Sequence, residues 1–414
     1  MRRAYWSQFI SMPSFFLFCL TAGGGELSTV RWGGSARTRF EYDYFTNFQN
    51  IRQMTWMRFR PYLAFEPEAG INLHFEPQFA KAMGENVVSS NSTTGSAEQN
   101  SGVTSDPSLG IHQAFMNYSP SSAFQLRIGR QVLSYGDELV IGALEWNNVA
   151  RAFDGIRLRN ESELKVHDLF WSKLVDSNVA GGGSGDYDFL GSYNSFRKLA
   201  GINEVDLYAL YLQDTRGSGS AILRLWTAGL RLKSKTDRLD YRMEVTQQLG
   251  QISGQASQTH GTQADLEIGY SLPGDRPFRV GLEGFYSDPE YNQLFPTVHK
   301  WLGTLDAFGR RNIKGFKIHT TTHMNDRLKI MIDGHRYYRT DQSSPAYRIN
   351  GSAISGTTKE DSYLATELDI TSQYDISDRT SIQVGAAALF VGTTLKNVQS
   401  RNPLFGYTSW EVKF

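Results

Sequence analysis

Cysteine is almost absent from this chain of 414 residues, where Cys19 stands alone. A single thiol cannot build a disulfide framework, and Cys19 lies inside an N-terminal apolar run. No stretch of about 18 uncharged apolar residues occurs in the body, which excludes helical membrane spans there. Net charge is lacking as well, since 42 basic residues balance 42 acidic ones. Nothing in that balance points to nucleic acid as a partner. Helical periodicity is also missing, because no run repeats apolar residues at 3.6-residue spacing.

What is abundant is aromatic residues, at 13%, and glycine, at 39 residues. That composition fits a transmembrane β-barrel, whose lipid face uses only alternate residues. The N-terminus carries Arg2 and Arg3, an apolar run from Phe9 to Leu20, and the small residues Thr21 to Gly25. A basic start, a short apolar core and small residues near a cut read as a secretory signal peptide over 1–25. The other reading of that run is a buried N-terminal helix.

From about residue 35 to 414, runs of alternation recur between turns. Thr38, Phe40 and Tyr42 alternate with Arg37, Arg39, Glu41 and Asp43; Met57, Phe59 and Leu63 alternate with Trp56, Arg58 and Arg60. Tyr241, Met243 and Val245 oppose Arg242, Glu244 and Thr246. Period two with ionised residues on one face describes a half-buried sheet. The connections alternate too. Tight turns rich in Pro, Gly, Asn and Asp, such as Glu66–Gly70 and Pro273–Pro277, interleave with long polar segments near 81–109, 131–152, 174–186, 249–262, 287–313, 339–361 and 392–404. Short turns on one rim and long loops on the other mark an outer-membrane barrel.

The count is about eighteen strands, starting near 35, 51, 70, 110, 123, 153, 163, 187, 203, 221, 238, 263, 277, 314, 327, 362, 379 and 405. The segments 187–196 and 203–213 carry the weakest alternation, yet without both the rims fall out of step. The chain closes on Thr408, Trp410, Val412 and Phe414 along one strand face and Ser409, Glu411 and Lys413 along the other. In a closed barrel that strand pairs with the first one, whereas in a soluble sandwich it would be an edge. The fold expected is all-β: a transmembrane, up-and-down antiparallel β-barrel whose lumen water and loops must fill.

One stretch carries a family likeness. Leu126-Arg127-Ile128-Gly129-Arg130-Gln131 leads into Ser134-Tyr135-Gly136-Asp137, then Trp146-Asn147-Asn148, then Arg151-Ala152-Phe153-Asp154-Gly155-Ile156-Arg157-Leu158-Arg159. These motifs, with Arg37-Thr38-Arg39-Phe40-Glu41 near the start, resemble the alginate-export family of outer-membrane barrels over about 35–414. The resemblance implies a monomeric 18-stranded barrel with an electropositive constriction through which an anionic polysaccharide passes outward. By position it assigns Arg130 and Arg157 to that constriction, and Arg37 and Arg39 to a basic stretch of the first strand.

Strand phase adds Arg58 and Arg60, and the same physics covers Arg159 and Arg242. An arginine on the lipid face would cost roughly 2–4 kcal/mol at the midplane, so these side chains should face the lumen. There a guanidinium keeps its charge and offers a planar fork to a carboxylate. Rings of arginine in a watery constriction favour anions, with Glu41, Asp43, Glu76, Asp240 and Glu244 spacing them. The plainer reading is a set of opposite-charge ladders stabilising a polar lumen. Arg130 is out of step, since Phe124, Leu126 and Ile128 face lipid; it turns inward only if Gly129 marks a bulge or if it already belongs to the loop. The loop bearing Gly136-Asp137 and Trp146-Asn147-Asn148 either folds into the lumen or caps the mouth.

No enzymatic constellation emerges. His319 and His323 would stand about 13 Å apart on a strand, too far to share a metal ion, and His260, His299 and His335 lack any nucleophile–base spacing. No cofactor is expected. The function expected is a bacterial outer-membrane pore passing anionic polysaccharide or organic anions by diffusion, with outer-membrane lipid around it and periplasmic export partners. The alternatives are an uptake porin for small organic anions or sugars, and a plugged structural or adhesive barrel.

Overall fold

The computed structural model describes residues 30–44, 51–83, 109–175, 186–215, 222–253 and 258–414. The expected leader at 1–25 with Cys19, the Ser/Asn/Gly-rich segment Val87–Asp106 and the run Gly181–Gly183 lie outside these residues. The alternating stretches form eighteen strands. The first six are β1 Val30–Tyr44, β2 Ile51–Glu68, β3 Ile71–Met83, β4 Gly110–Ser121, β5 Phe124–Gln131 and β6 Phe153–Glu161. Next come β7 Lys165–Val175, β8 Tyr187–Leu199, β9 Ile202–Asp214, β10 Leu223–Lys235, β11 Leu239–Ile252 and β12 Gln258–Leu272. The wall is completed by β13 Phe278–Ser287, β14 Ile313–His323, β15 Leu328–Tyr338, β16 Tyr363–Ser377, β17 Thr380–Val391 and β18 Leu404–Lys413.

Every strand pairs antiparallel with its sequence neighbours, and β18 pairs with β1, so the sheet closes without a free edge. Closure satisfies every ladder group internally, which is what a sheet needs inside hydrocarbon. At the seam, the Gly34 amide donates to the Phe414 carbonyl at 3.0 Å and the Phe414 amide returns a bond to Gly34 at 3.0 Å. Among the described residues no helix is long and apolar enough to cross a membrane; strands do the crossing.

Alternation decides which residue faces where. Phe40, Phe59, Leu63, Ile156, Leu266 and Trp410 are exposed on the outer wall, while Arg37, Arg39, Glu41, Arg58 and Arg60 are buried inside. So large an apolar surface would aggregate a soluble protein; in a bilayer it is the solvated face. Short turns at 69–70, 122–123, 200–201 and 378–379 share one rim, and the segments 132–152, 288–312, 339–362 and 392–403 leave from the other.

Two boundaries differ from the sequence expectation. β1 begins at Val30 rather than near 35, because Gly33 and Gly34 continue the ladder against Tyr62 and Pro61. The long connection expected at 249–262 is mostly strand, since β11 runs to Ile252 and β12 starts at Gln258. Its polar residues read as loop because they lack apolar alternation, yet Gln251 pairs with Gln258 and Leu249 with His260 in the ladder. Gln248, fully buried, exchanges hydrogen bonds with the Asn292 main chain, at 2.8 Å each way.

The packed core lies inside the barrel. Loops 132–152 and 288–312 fold inward and bury Leu133, Ile141, Leu294 and Phe295 against Phe170, Phe189, Leu210 and Leu212 of the β7–β9 wall. A second cluster sets Trp301, Leu305 and Phe308 against Tyr337, Leu389 and Tyr407.

Candidate functional site: an arginine wall and the loop it grips

On β1 and β2 the register sets Arg37 directly opposite Arg58, with Arg39 opposite Trp56 and Arg60 opposite Ser35. Four guanidiniums therefore crowd one patch of the inner wall, and β18 adds Glu411 opposite Arg37. Like charges this close repel unless something accepts their donors. The acceptor is loop 132–152. Arg37 donates from Nη1 to the Glu145 carbonyl at 2.7 Å, and from Nη2 to the carbonyls of Trp146 and Asn147 at 3.0 and 2.9 Å. Arg39 reaches the Trp146 carbonyl and donates from Nε to Glu41 at 2.6 Å. Arg58 binds the Glu145 carbonyl at 3.1 Å, and Arg60 meets both oxygens of its carboxylate at 3.0 and 2.9 Å. Asn148 donates to the Met57 and Lys81 carbonyls.

So the Trp-Asn-Asn segment lies within the lumen, and the rim-cap reading fails. The arginines expected to ring an open constriction are largely engaged in holding the element that narrows it. Trp146 is sandwiched, with its ring centroid 3.7 Å from that of His299 and the Arg39 guanidinium 3.9 Å above it.

The other end of the loop is held across the lumen by β10. Gly136 has φ +56° and packs so closely on Tyr193 and Arg231 that a Cβ would lie 2.7 Å from the Tyr193 hydroxyl, which leaves glycine as the fitting residue. Beside it, Asp137 accepts from Arg231 at 2.7 Å and from Lys233 at 2.6 Å. Burial would raise the Asp137 pKa, but Arg231 and Lys233 hold it below the usual carboxylate range. Arg231 and Lys233 were missed from sequence, although their alternation with Leu230 and Leu232 was a usable signal. Arg151 ties the two inward loops together by donating to the carbonyls of Gly142, Phe295 and Pro296; burial lowers its pKa to about 10.

The remaining expected residues divide. Arg157 points inward and is 8% exposed, and its Nη2 donates to Gln125 at 3.1 Å. Opposite it on β5 stands Arg127, which sequence reading did not single out. Arg127 lies over the Phe115 ring and donates to Asn117 at 2.7 Å. Neither has a carboxylate within ion-pair distance among the described residues. Arg159 faces inward and is forked onto Asp168 at 2.8 and 2.7 Å. Arg242 is buried inside, 2.6 Å from Asp265 and stacked over Trp301.

Arg130 is corrected. It lies on the outer face, forked onto the exposed Asp154 at 2.8 and 2.7 Å. Gly129 has φ +124° but pairs in unbroken register with Gly155, so no bulge turns Arg130 inward. Strict alternation prevails, and the pair with Asp154 offsets the charge.

Among the expected spacers, Glu41 serves Arg39, and Asp240 serves Arg279 at 2.9 Å. Glu244 instead accepts from Tyr208 at 2.7 Å, and Glu76 from Gln113 at 2.7 Å. Further acids, Asp265, Glu283, Glu367 and Asp369, are buried on β12 to β16, where Arg242, Arg310 and Lys317 pair with Asp265 and Glu283. Below the loops, toward the short-turn rim, a cavity of about 1350 Å³ is lined by Lys233, Lys300 and Lys317 as well as Glu204, Asp240 and Glu267.

His319 contacts Glu267 at 3.0 Å rather than His323. Ser192 Oγ lies 3.4 Å from His167, but on the outer face, and Asn194 donates to Ser192 instead of orienting the imidazole. A nucleophile needs a base that is itself oriented, and this pair lacks one.

The grip on the loop predicts a pH response. Burial would raise the Glu145 pKa, but Arg60 and Arg58 outweigh it and hold the carboxyl down to about 2. An unfolded glutamate titrates near about 4.3. The contact therefore stabilises the docked loop fully above that value and is lost as pH falls toward about 2. Main-chain contacts from Arg37, Arg58 and Asn148 keep the loop docked, so in planar bilayers anion selectivity should be constant from about pH 7 to 5 and rise below about pH 4, as the Glu145 charge is lost. A transition centred near neutrality would assign the response elsewhere.

Comparison with known proteins agrees with the geometry. The family model described as alginate export matches residues 29–404. No curated protein sequence matches the chain. Solved structures share the fold at low identity. Pseudomonas aeruginosa OccK11 (OpdR) is 12% identical with a TM-score of 0.58, covering 93% of this chain and 96% of that one. Acinetobacter baumannii OccAB1 is 10% identical with a TM-score of 0.59, covering 93% and 96%. P. aeruginosa OccK2 (OpdF), solved in complex with glucuronate, is 9% identical with a TM-score of 0.61, covering 93% and 98%.

Proposed function

The chain belongs to the alginate-export family of outer-membrane β-barrels, and from that premise we propose that it passes anionic polysaccharide or smaller organic anions by diffusion along its arginine wall. It is a bacterial outer-membrane channel and not an enzyme. The observation that carries the reading is the inward cross-strand pair Arg127 and Arg157 on β5 and β6, neither with a carboxylate at ion-pair distance among the described residues. Fixed positive charge between low-dielectric walls concentrates anions, and several weak sites in series let an anion enter and leave. Uronate polymers present a carboxylate on every ring, so they can pass from one guanidinium to the next. The same reading takes the barrel as a monomer, its leader at 1–25 removed on secretion, with periplasmic proteins delivering polymer to the short-turn rim.

A second reading, uptake of small organic anions, is favoured by the inward loops 132–152 and 288–312, which narrow the lumen around the cavity below them. The glucuronate in the OccK2 structure makes a single uronate the first small anion to try.

Arg127 and Arg157 do not hold the loop, so they test selectivity cleanly. Reversing both to Glu should lower the anion-to-cation permeability ratio several-fold in planar bilayers, with the folded barrel retaining its heat-modifiable gel mobility. An unchanged ratio would sink the reading. Block by uronate oligomers that strengthens with chain length favours the polymer; equal block by glucuronate alone favours the small anion.

A further inference from the structure

Glu145 is the one carboxylate that the inward loop sets against the arginine wall, and its surroundings are unlike those of a structural ion pair. Its side chain is 51% exposed to the lumen, whereas Arg58 and Arg60 are each 4% exposed. The two guanidiniums are thus covered, and Glu145 is the exposed member. Arg60 meets the carboxylate through Nη1 only, at 3.0 and 2.9 Å, and its buried Nη2 has no partner. A well-seated carboxylate on arginine takes both arms of the fork, so this seat is underfilled. His112 adds a third polar group, its Nε2 lying 3.8 Å from the same carboxylate.

The main chain here is held separately from the side chain. The Glu145 carbonyl accepts from Arg37 and Arg58, Trp146 and Asn147 carbonyls accept from Arg37, and Asn148 is bonded to β2 and β3. The carboxylate can swing into the lumen while these contacts hold the loop in place.

We propose that Glu145 is a built-in competitor: its carboxylate occupies a seat formed by Arg58, Arg60 and His112, and the carboxylate of a permeating uronate displaces it. This rests on the anion-passing function proposed above and adds a subsite and its regulation. The exchange replaces one carboxylate by another, so no buried guanidinium is left uncompensated, the situation that makes breaking a buried pair expensive. A neutral sugar cannot make the exchange. Once displaced, the Glu145 carboxylate stands beside the bound anion and repels it, and its return to the seat frees the anion to move on. A pore needs such weak, reversible binding.

The test is glucuronate binding to the detergent-solubilised full chain, by calorimetry, with glucose as the neutral control. Glu145→Gln removes the competitor's charge and should tighten glucuronate binding about three- to fivefold, the scale of an exposed ion pair, without tightening glucose. On an Arg60→Gln background the gain should vanish, closing a double-mutant cycle. Glucuronate affinity that is unchanged or weaker in Glu145→Gln overturns the proposal. So does an equal gain for glucose, which would mean that the lumen had simply opened. If the wild-type channel is neither anion-selective nor blocked by uronates, it is the proposed function that fails; a blocked wild type with no Glu145→Gln effect removes only the competitor.

Discussion

Phe295→Ala should enlarge the single-channel conductance several-fold and make it noisy, because it removes the residue on which both inward loops close. The Phe295 ring is fully buried and sits edge-on to Phe153 at 5.5 Å and to Phe189 at 4.8 Å. Its amide donates to Val140 at 3.0 Å and its carbonyl accepts from Gly142 at 2.8 Å, so the same residue pairs the two loops. Truncating a buried phenylalanine to alanine costs about 3–5 kcal/mol, and here that loss falls on loop docking, since the ladders of the wall are untouched. A tenfold change in the docked population needs only about 1.4 kcal/mol. Conductance equal to wild type would show that the loops stay docked without this ring.

Asp265→Ala should give the largest loss of barrel stability. Asp265 is 1% exposed and accepts from Arg242 at 2.6 Å and from Arg310 at 2.7 Å, joining β11, β12 and the second inward loop. Removing it leaves two buried guanidiniums without their shared counter-charge, a change worth about 3–5 kcal/mol. The heat-modifiable gel transition should move to a clearly lower temperature. Because the lumen loses a negative charge, the surviving channels should also be more anion-selective. A transition at the wild-type temperature would mean that Glu267 and Glu283, both near Arg242, compensate fully.

The barrel was legible because lipid forces alternation. Wherever the lumen face is polar, as on β1, β2 and β11, the phase of each arginine can be read directly. β8 and β9 were the faintest strands for a physical reason: their inward residues Phe189, Leu210 and Leu212 lie under the folded-in loop, so both faces are apolar and the alternation fades. The reverse happened at the ends of β11 and β12, where polar residues such as Gln251, Gln258 and His260 looked like loop yet pair in the ladder. Arg130 was misassigned by carrying a motif position over alternation, and alternation proved the better guide.

The partners of the arginines were not legible. Arg37 bonds to carbonyls more than a hundred residues away in sequence, and main-chain acceptors carry no side-chain signature. Arg231 and Asp137 are likewise distant in the chain, and only the inward path of the loop brings them together. Sequence thus identified the charge on the wall but not the loop that charge holds.

The most direct test is the zero-current potential of the purified wild-type protein in a planar bilayer across a potassium chloride gradient. A potential with the sign of chloride permeation, reduced when Arg127 and Arg157 are reversed to Glu, is what an arginine-walled pore predicts. A cation-selective potential, or a bilayer that never conducts, would contradict it.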